Sequence, residues 1–371
     1  MMLDIARHFL PPSTIKRLID IAAMYKINRL HLHLSDDQGW RLEIKSLPRL
    51  TLIGSQTQVG GGKGGYLLQE EYKDIVKYAA ERFIEVIPEF DFPAHTHALI
   101  AAYPRLKGMR SRVPAWNTVP ANGSPIPLYS GIDVGFSCVN LTSNILHKVI
   151  RRIFTEVAAI TPGRYIHIGG DEADACPKGS EFASFIHKVS DAVRDVGKIS
   201  IGWQEAGRKG VDIQQYWWSS KDMGSAMKTI LSPANKAYLD MKYSYSFNNL
   251  GLSWAGVTNL QDAYQWDAQE VANSTGRSLQ VVGVEAALWT ETISNEHDMF
   301  LMVLPRLPAI AEVGWTTKSG RGWESFAKRI GVHGKIWDSD GVPYYKTSDV
   351  NWDIGSVKAS HRRHGKFPTA F

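Results

Sequence analysis

The chain has 371 residues, 44% of them hydrophobic and 21% charged, which is enough apolar content for a large buried core and excludes a disordered chain. Its net charge is +5, and Lys358, Arg362, Arg363 and Lys366 in the last stretch carry four of those charges. The near-neutral remainder excludes the basic face of a nucleic-acid binder. No apolar run reaches the ~18 residues of a membrane-crossing helix, and MMLDIARHFL lacks the basic start of a signal peptide.

Taken in chain order, the first apolar run is 3–6, succeeded by a helical pattern at 13–25 with Ser13 or Thr14 as its N-cap. A strand at 29–34 comes next, then a helix at 70–82 and a strand at 84–89. A helix at 143–160 leads to a strand at 165–169, and a helix at 181–196 to a strand at 199–203. Further strands fall at 213–217, 237–239 and 281–288. Eight strands separated mostly by helices predict parallel pairing through crossovers, and eight closes an α/β TIM (β/α)8 barrel. The fifth to seventh units are the least regular. The barrel occupies 1–345, and 346–371 is a basic tail. Segments 59–65 and 107–127 read as long loops. Cys138 and Cys176 form either one bridge or two free thiols.

The residues just after each strand form the informative pattern. Arg7 comes after the first, Ser35-Asp36-Asp37 after the second, Glu89 through His95 after the third, and Asp171-Glu172 after the fourth. Trp203 and Glu205, Trp217-Trp218, Tyr238 and Asp240, then Trp289 and Glu291 complete the series. In a barrel these strand ends share one rim. Indole faces pack on the C–H face of a pyranose while acids and a guanidinium hold its hydroxyls, so glycoside hydrolysis is the leading reaction class. The usual carboxyl pair sits about 5 Å apart for retention or about 6.5–9.5 Å apart for inversion. Asp171 and Glu172 are instead neighbours in YIHIGGDEAD (165–174) and cannot easily flank a sugar from both faces. One then handles the proton and the other positions part of the substrate.

Three other patterns are coincidental. DEAD at 171–174 lacks a phosphate loop ending in G-K-[ST], since Gly62-Lys63-Gly64 has no hydroxyl residue. GGDE at 169–172 succeeds a strand and precedes a helix, not the hairpin of a cyclic-dinucleotide synthase. His95 and His97 lack a third ligand at a usual spacing, so no metal is expected.

The motifs LDIARHF (3–9), RLHLHLSDDQGWRLEI (29–44), EVIPEFDFPAHTHA (85–98), ITPGRYIHIGGDEA (160–173), YLDMKY (238–243), GLSWAG (251–256), VEAALWTET (284–292) and LPRLPAIAEVGW (304–315) carry a resemblance. The chain resembles family 20 glycoside hydrolases, the β-N-acetylhexosaminidases, and is most similar to their bacterial chitobiase-like members. The resemblance runs from the first residues to about Trp315. It implies substrate-assisted retention, in which the substrate's 2-acetamido oxygen attacks the anomeric carbon. Glu172 is then general acid and base, and Asp171 orients the acetamido group. Tyr238 donates to the acetamido oxygen, and Trp203, Trp217 and Trp289 cage the group and the ring. Arg7 binds O3 and O4, Asp240 and Glu291 read O4 and O6, and Asp36 with His95 forms a relay behind Glu172.

The same resemblance implies a substrate with a terminal N-acetylhexosamine on an oligosaccharide or glycoconjugate, no cofactor, and a secreted, periplasmic or lysosomal location. Family members usually carry an N-terminal α+β domain, whereas this chain starts at the first barrel strand. Within the pattern, strand alternation lets only one of Trp217 and Trp218 face the site, and Trp217 is preferred. Asp37 reads as structural, Trp254 and Trp315 as core, and Glu205 has no role. The alternatives are a disaccharide-releasing enzyme of the lacto-N-biosidase type and a non-catalytic, lectin-like barrel.

Overall fold

The computed structural model describes residues 1–353, so most of the expected basic tail, including Lys358, Arg362, Arg363 and Lys366, lies outside the described residues. Seven strands run in parallel register: β1 (Met2–Asp4), β2 (Arg29–His33), β3 (Glu85–Glu89), β4 (Tyr165–His167), β5 (Ile199–Trp203), β6 (Ile213–Tyr216) and β7 (Lys228–Leu231). The eighth position is filled by two consecutive segments. Gln280–Val284 pairs with β7, and Ala287–Leu288 pairs with β1, which closes the sheet into the expected barrel.

Period-two alternation explains the walls. In β2, Leu30 and Leu32 join the large core shared with the surrounding helices, while His31 and His33 meet carboxylates. The interior is unusually polar. Glu89 receives contacts from His31 at 2.9 Å, His33 at 2.6 Å, His167 at 2.9 Å and the Trp203 indole at 2.9 Å. Ile87, Ile201 and Ile213 form a separate small apolar cluster.

The helices answer to local signals. Helix Asn144–Ile160 starts at Ser143, whose hydroxyl accepts from the Leu146 amide. Helix Ser180–Asp195 ends where Gly197 takes φ 75° and its amide bonds back to Arg194. Helix Pro12–Met24 begins one residue ahead of the expected caps. Pro12 occupies the first turn, where a missing N–H costs nothing, so Ser13 and Thr14 lie inside the helix.

Two further expectations are corrected. The strand expected at 237–239 is a helical turn, Ala234–Ala237, succeeded by a single bridge from Tyr238 to Ala287. The seventh ladder is instead Lys228–Leu231, whose pattern is obscured by a lysine and a threonine. The loop at 107–127 contributes one strand of an antiparallel pair, Thr118–Val119 with Leu128–Tyr129. The fifth to seventh units are irregular as expected: only a 3-10 stretch, Gln204–Lys209, separates β5 from β6. Cys138 and Cys176 are bonded, with Cα atoms 5.4 Å apart.

Candidate active site

The acid pair is placed by two glycines. Gly169 and Gly170 take φ 69° and 102°, and Glu172 itself sits at φ 42°, a region that L side chains enter at a cost. A Cβ on Gly169 would lie 1.8 Å from Asp91 Oδ1. That close approach lets the Gly170 amide donate to the same oxygen at 3.0 Å. Burial and the Asp171 charge push the Asp91 carboxyl well above the usual range. Burial, with Glu172 adjacent, also raises Asp171, against the pull of His95 and Asp91.

Behind the pair runs a chain of alternating charge. His95 Nε2 lies 3.4 Å from Glu172 Oε2 and 3.7 Å from Asp171 Oδ2, and its Nδ1 is 3.0 Å from Asp36. Asp36 also meets His33 Nε2 at 2.8 Å and Arg7 Nη2 at 2.9 Å. Although burial opposes it, the Asp36 and Asp171 charges hold His95 protonated well above the ordinary histidine range. The Arg7 and His95 charges overcome burial to hold Asp36 well below the carboxylate range. Asp37 is buried among Ser137 and the His97 amide, a structural place as expected. His97 turns away to the Pro127 carbonyl.

Arg7, Asp171, Glu172, Trp217, Tyr238, Asp240, Trp289 and Glu291 line one cavity of about 420 Å³. They come from the rim beyond β1, β4, β6, β7 and the closing segment Ala287–Leu288. Arg7 is anchored by Asp4 at 3.4 Å and lies 4.9 Å over the Trp289 ring. Asp240 is buried and Glu291 half-buried, and Asp240 Oδ1 and Oδ2, Glu291 Oε2, Asp171 Oδ1 and Arg7 Nε find no partner within the protein. Burial, reinforced for Asp240 by Glu291, pushes both of those carboxyls up. Unpaired buried groups are costly unless a ligand completes them, and five such atoms around one cavity suit a molecule dense in hydroxyls.

Three sequence readings change here. Trp203 does not reach the cavity surface: it is 1% exposed, bonded to Glu89 and 5.7 Å ring to ring from Trp289, so it backs the wall. Trp217 and Trp218 both line the cavity. Strand alternation ends at Tyr216, and the amides of Trp217, Trp218 and Ser219 all curl onto Gln204 Oε1 at 3.0, 3.0 and 3.2 Å. Trp254 is a half-exposed cavity residue, not core, and Trp315 is exposed with its indole on the Lys26 carbonyl. Trp254 lies in an irregular loop and Trp315 at a helix end, where strand periodicity assigns no face.

Sequence reasoning missed Asp91 and two mounting arginines. Arg41 is buried and donates to the carbonyls of Ile5, Ala6, Ser55, Thr57 and Gly65, fixing the turn that carries Arg7. Arg306 does the same for the carbonyls of Leu239, Met241 and Thr258, fixing the loop that carries Tyr238 and Asp240. Both lie inside family-like motifs, but only their position near carbonyls reveals the task. Among the described residues, three buried sets bring His and carboxylate atoms within 4.8 Å of one another: His31/Glu89/His167, Asp36/Asp37/His95 and Asp91/His95/Asp171.

A barrel whose strand ends converge on an indole-lined, acid-bearing pocket defines a glycoside hydrolase of the TIM-barrel class. The chain belongs to glycosyl hydrolase family 20, whose catalytic-domain model matches residues 1–318. It is 38% identical to the β-N-acetylhexosaminidase of Cellulomonas fimi over 95% of this chain and 70% of that protein. The solved family 20 β-N-acetylhexosaminidase of Streptomyces coelicolor matches with a TM-score of 0.84 at 39% identity, over 95% of this chain and 71% of that one. The Streptomyces plicatus N-acetyl-β-hexosaminidase, solved with thio-NAglucal, matches with a TM-score of 0.85 at 41% identity, over 95% and 70%.

Proposed function

We propose that the chain is an exo-acting β-N-acetylhexosaminidase that removes terminal N-acetylglucosamine or N-acetylgalactosamine with retention, using the substrate's own acetamide as nucleophile. The catalytic unit is the barrel, 1–345. One observation carries the division of labour: adjacent acids on one turn, Asp171 buried beside Asp91 and His95 and Glu172 33% exposed beside His95.

Glu172 gives its proton to the leaving oxygen and later takes one from water. Asp171 accepts from the acetamido N–H through its unpaired Oδ1 and steadies the positive charge that grows as the ring forms. Tyr238 donates to the acetamido oxygen. Trp217 and Trp289 wall the group, with Trp203 behind. Arg7 holds O3 and O4, while Asp240 and Glu291 accept from O4 and O6. Asp36 and His95 hold Glu172 in place through charge. Closing one end with buried Arg7 and Asp240 and half-buried Glu291 fits one sugar ring and favours exo attack over release of a disaccharide.

Hydrolysis of paired aryl N-acetyl-β-glucosaminide and galactosaminide tests the reading. Glu172→Gln abolishes turnover, and a thiazoline mimic of the bicyclic intermediate inhibits. Near-normal turnover in that variant, or indifference to the thiazoline, overturns it. Preference for lacto-N-tetraose over chitobiose would favour the disaccharide-releasing alternative.

A further inference from the structure

The turn after β5 carries a third carboxyl next to the acid pair that the proposed mechanism does not use. Glu205 lies in the 3-10 stretch Gln204–Lys209, and the Trp217 indole N–H donates to its Oε2 at 3.2 Å. Its neighbour Gln204 grips the backbone of the same tryptophan and of the two residues after it. The two residues therefore hold Trp217 at both ends, by backbone and by ring. Nothing else among the described residues bonds to that indole nitrogen.

We propose that Glu205 is a positioning residue that works as a neutral carboxylic acid, fixing Trp217 against the sugar and the acetamido group, and that its ionisation at alkaline pH weakens catalysis. This rests on the hexosaminidase reading above. The charges around Glu205 support it. Asp171 and Glu172 on the turn after β4 face it and repel its anion, and the Lys209 ammonium in its own turn lies within reach but bonds to the Glu205 carbonyl and sits 3.7 Å from Asp222. Burial and then the Asp171 charge push the carboxyl up to about 8. Below that pH a neutral acid keeps its acceptor oxygen for the indole without adding a negative charge beside Asp171. Above it, the buried anion, repelled by Asp171 and Glu172, is drawn toward the Lys209 ammonium and away from the indole, which frees Trp217.

The test compares Glu205→Gln and Glu205→Leu on an aryl N-acetyl-β-glucosaminide across pH. The glutamine keeps the acceptor and cannot ionise, so kcat/KM at about pH 6 stays within about twofold of wild type while the alkaline limb moves up by at least about one pH unit. The leucine removes the acceptor, and kcat/KM falls about tenfold, mainly through KM, the size expected for one buried hydrogen bond. Equal losses in both variants overturn the proposal, because the anion would then be needed. An unmoved alkaline limb in Glu205→Gln, or wild-type kinetics in both, also overturns it. Should the leucine variant fail to fold, the glutamine profile alone decides. If the wild type itself fails to hydrolyse the substrate, the hexosaminidase reading has failed instead.

Discussion

Gly169 decides where the acid pair sits, because its missing Cβ leaves room for the Asp91 carboxyl against the backbone. Gly169→Ala must move either Asp91 or the turn, and we expect kcat to fall on the order of 10²-fold, the usual result of displacing a reacting group by about 1 Å. Steady-state kinetics with a circular dichroism control checks this, and wild-type kcat in a folded variant would contradict it. Asp171→Asn keeps the shape but loses the charge, and should lower kcat by about 10²–10⁴-fold. The adjacency of Asp171 and Glu172 was legible in the sequence, and so was the need for one acid to steer the substrate. Asp91 was not, since its partnership with Asp171 depends on a left-handed turn that no pattern of residue types displays. Trp254 was misplaced because an irregular loop gives no period from which to read a face.

At the scale of elements, the loops of the site are held by buried side chains more than by regular structure. Arg306 satisfies the carbonyls of Leu239, Met241 and Thr258, in the part of the barrel where β7 and the next helical turn replace a regular unit. Arg306→Leu leaves those carbonyls unpaired. At about 1–3 kcal/mol for each unsatisfied buried group, the loss should show as a clearly lower denaturation midpoint. An unchanged midpoint would mean that water or a shifted loop takes its place. The Cys138–Cys176 bond ties the segment beyond the antiparallel pair to the loop after Glu172. A crosslink over a separation of 38 residues is worth about 4 kcal/mol in the chain-entropy picture. Cys138→Ser should therefore unfold at markedly lower denaturant than the wild type. The barrel itself was legible because β1 to β6, the closing segments and the helices between the first five strands obey period-two and helical signals. The seventh strand escaped because Lys228 and Thr229 break its apolar run, while Tyr238 and Leu239 imitate one.

For the whole molecule, the polar barrel interior sets how stability depends on pH. Asp91, Asp171, Asp240 and Glu291 are raised by burial, and Glu205 is pushed up to about 8. Each ionises near pH 4 when unfolded, so rising pH favours the unfolded chain until the folded group also ionises. His31 and His33 are lifted by neighbouring carboxylates to about 9 and about 10. Their contribution is complete below about pH 6.5 and is lost as pH climbs through those values. Asp36 and Glu89, held low by Arg7 and by histidines respectively, contribute above about pH 4 and fail in acid. The melting temperature should therefore peak between about pH 4.5 and 6.5 and decline toward pH 9; a level or rising curve across that alkaline range would contradict the assignment of charges. The cavity those charges surround has its own decisive test. Aryl glycosides whose acetamide carries zero, one, two or three fluorines differ little in size but steeply in the electron density of the amide oxygen. If that oxygen is the nucleophile, log kcat/KM falls steeply and progressively along the series. A flat series would mean that the protein or water supplies the nucleophile.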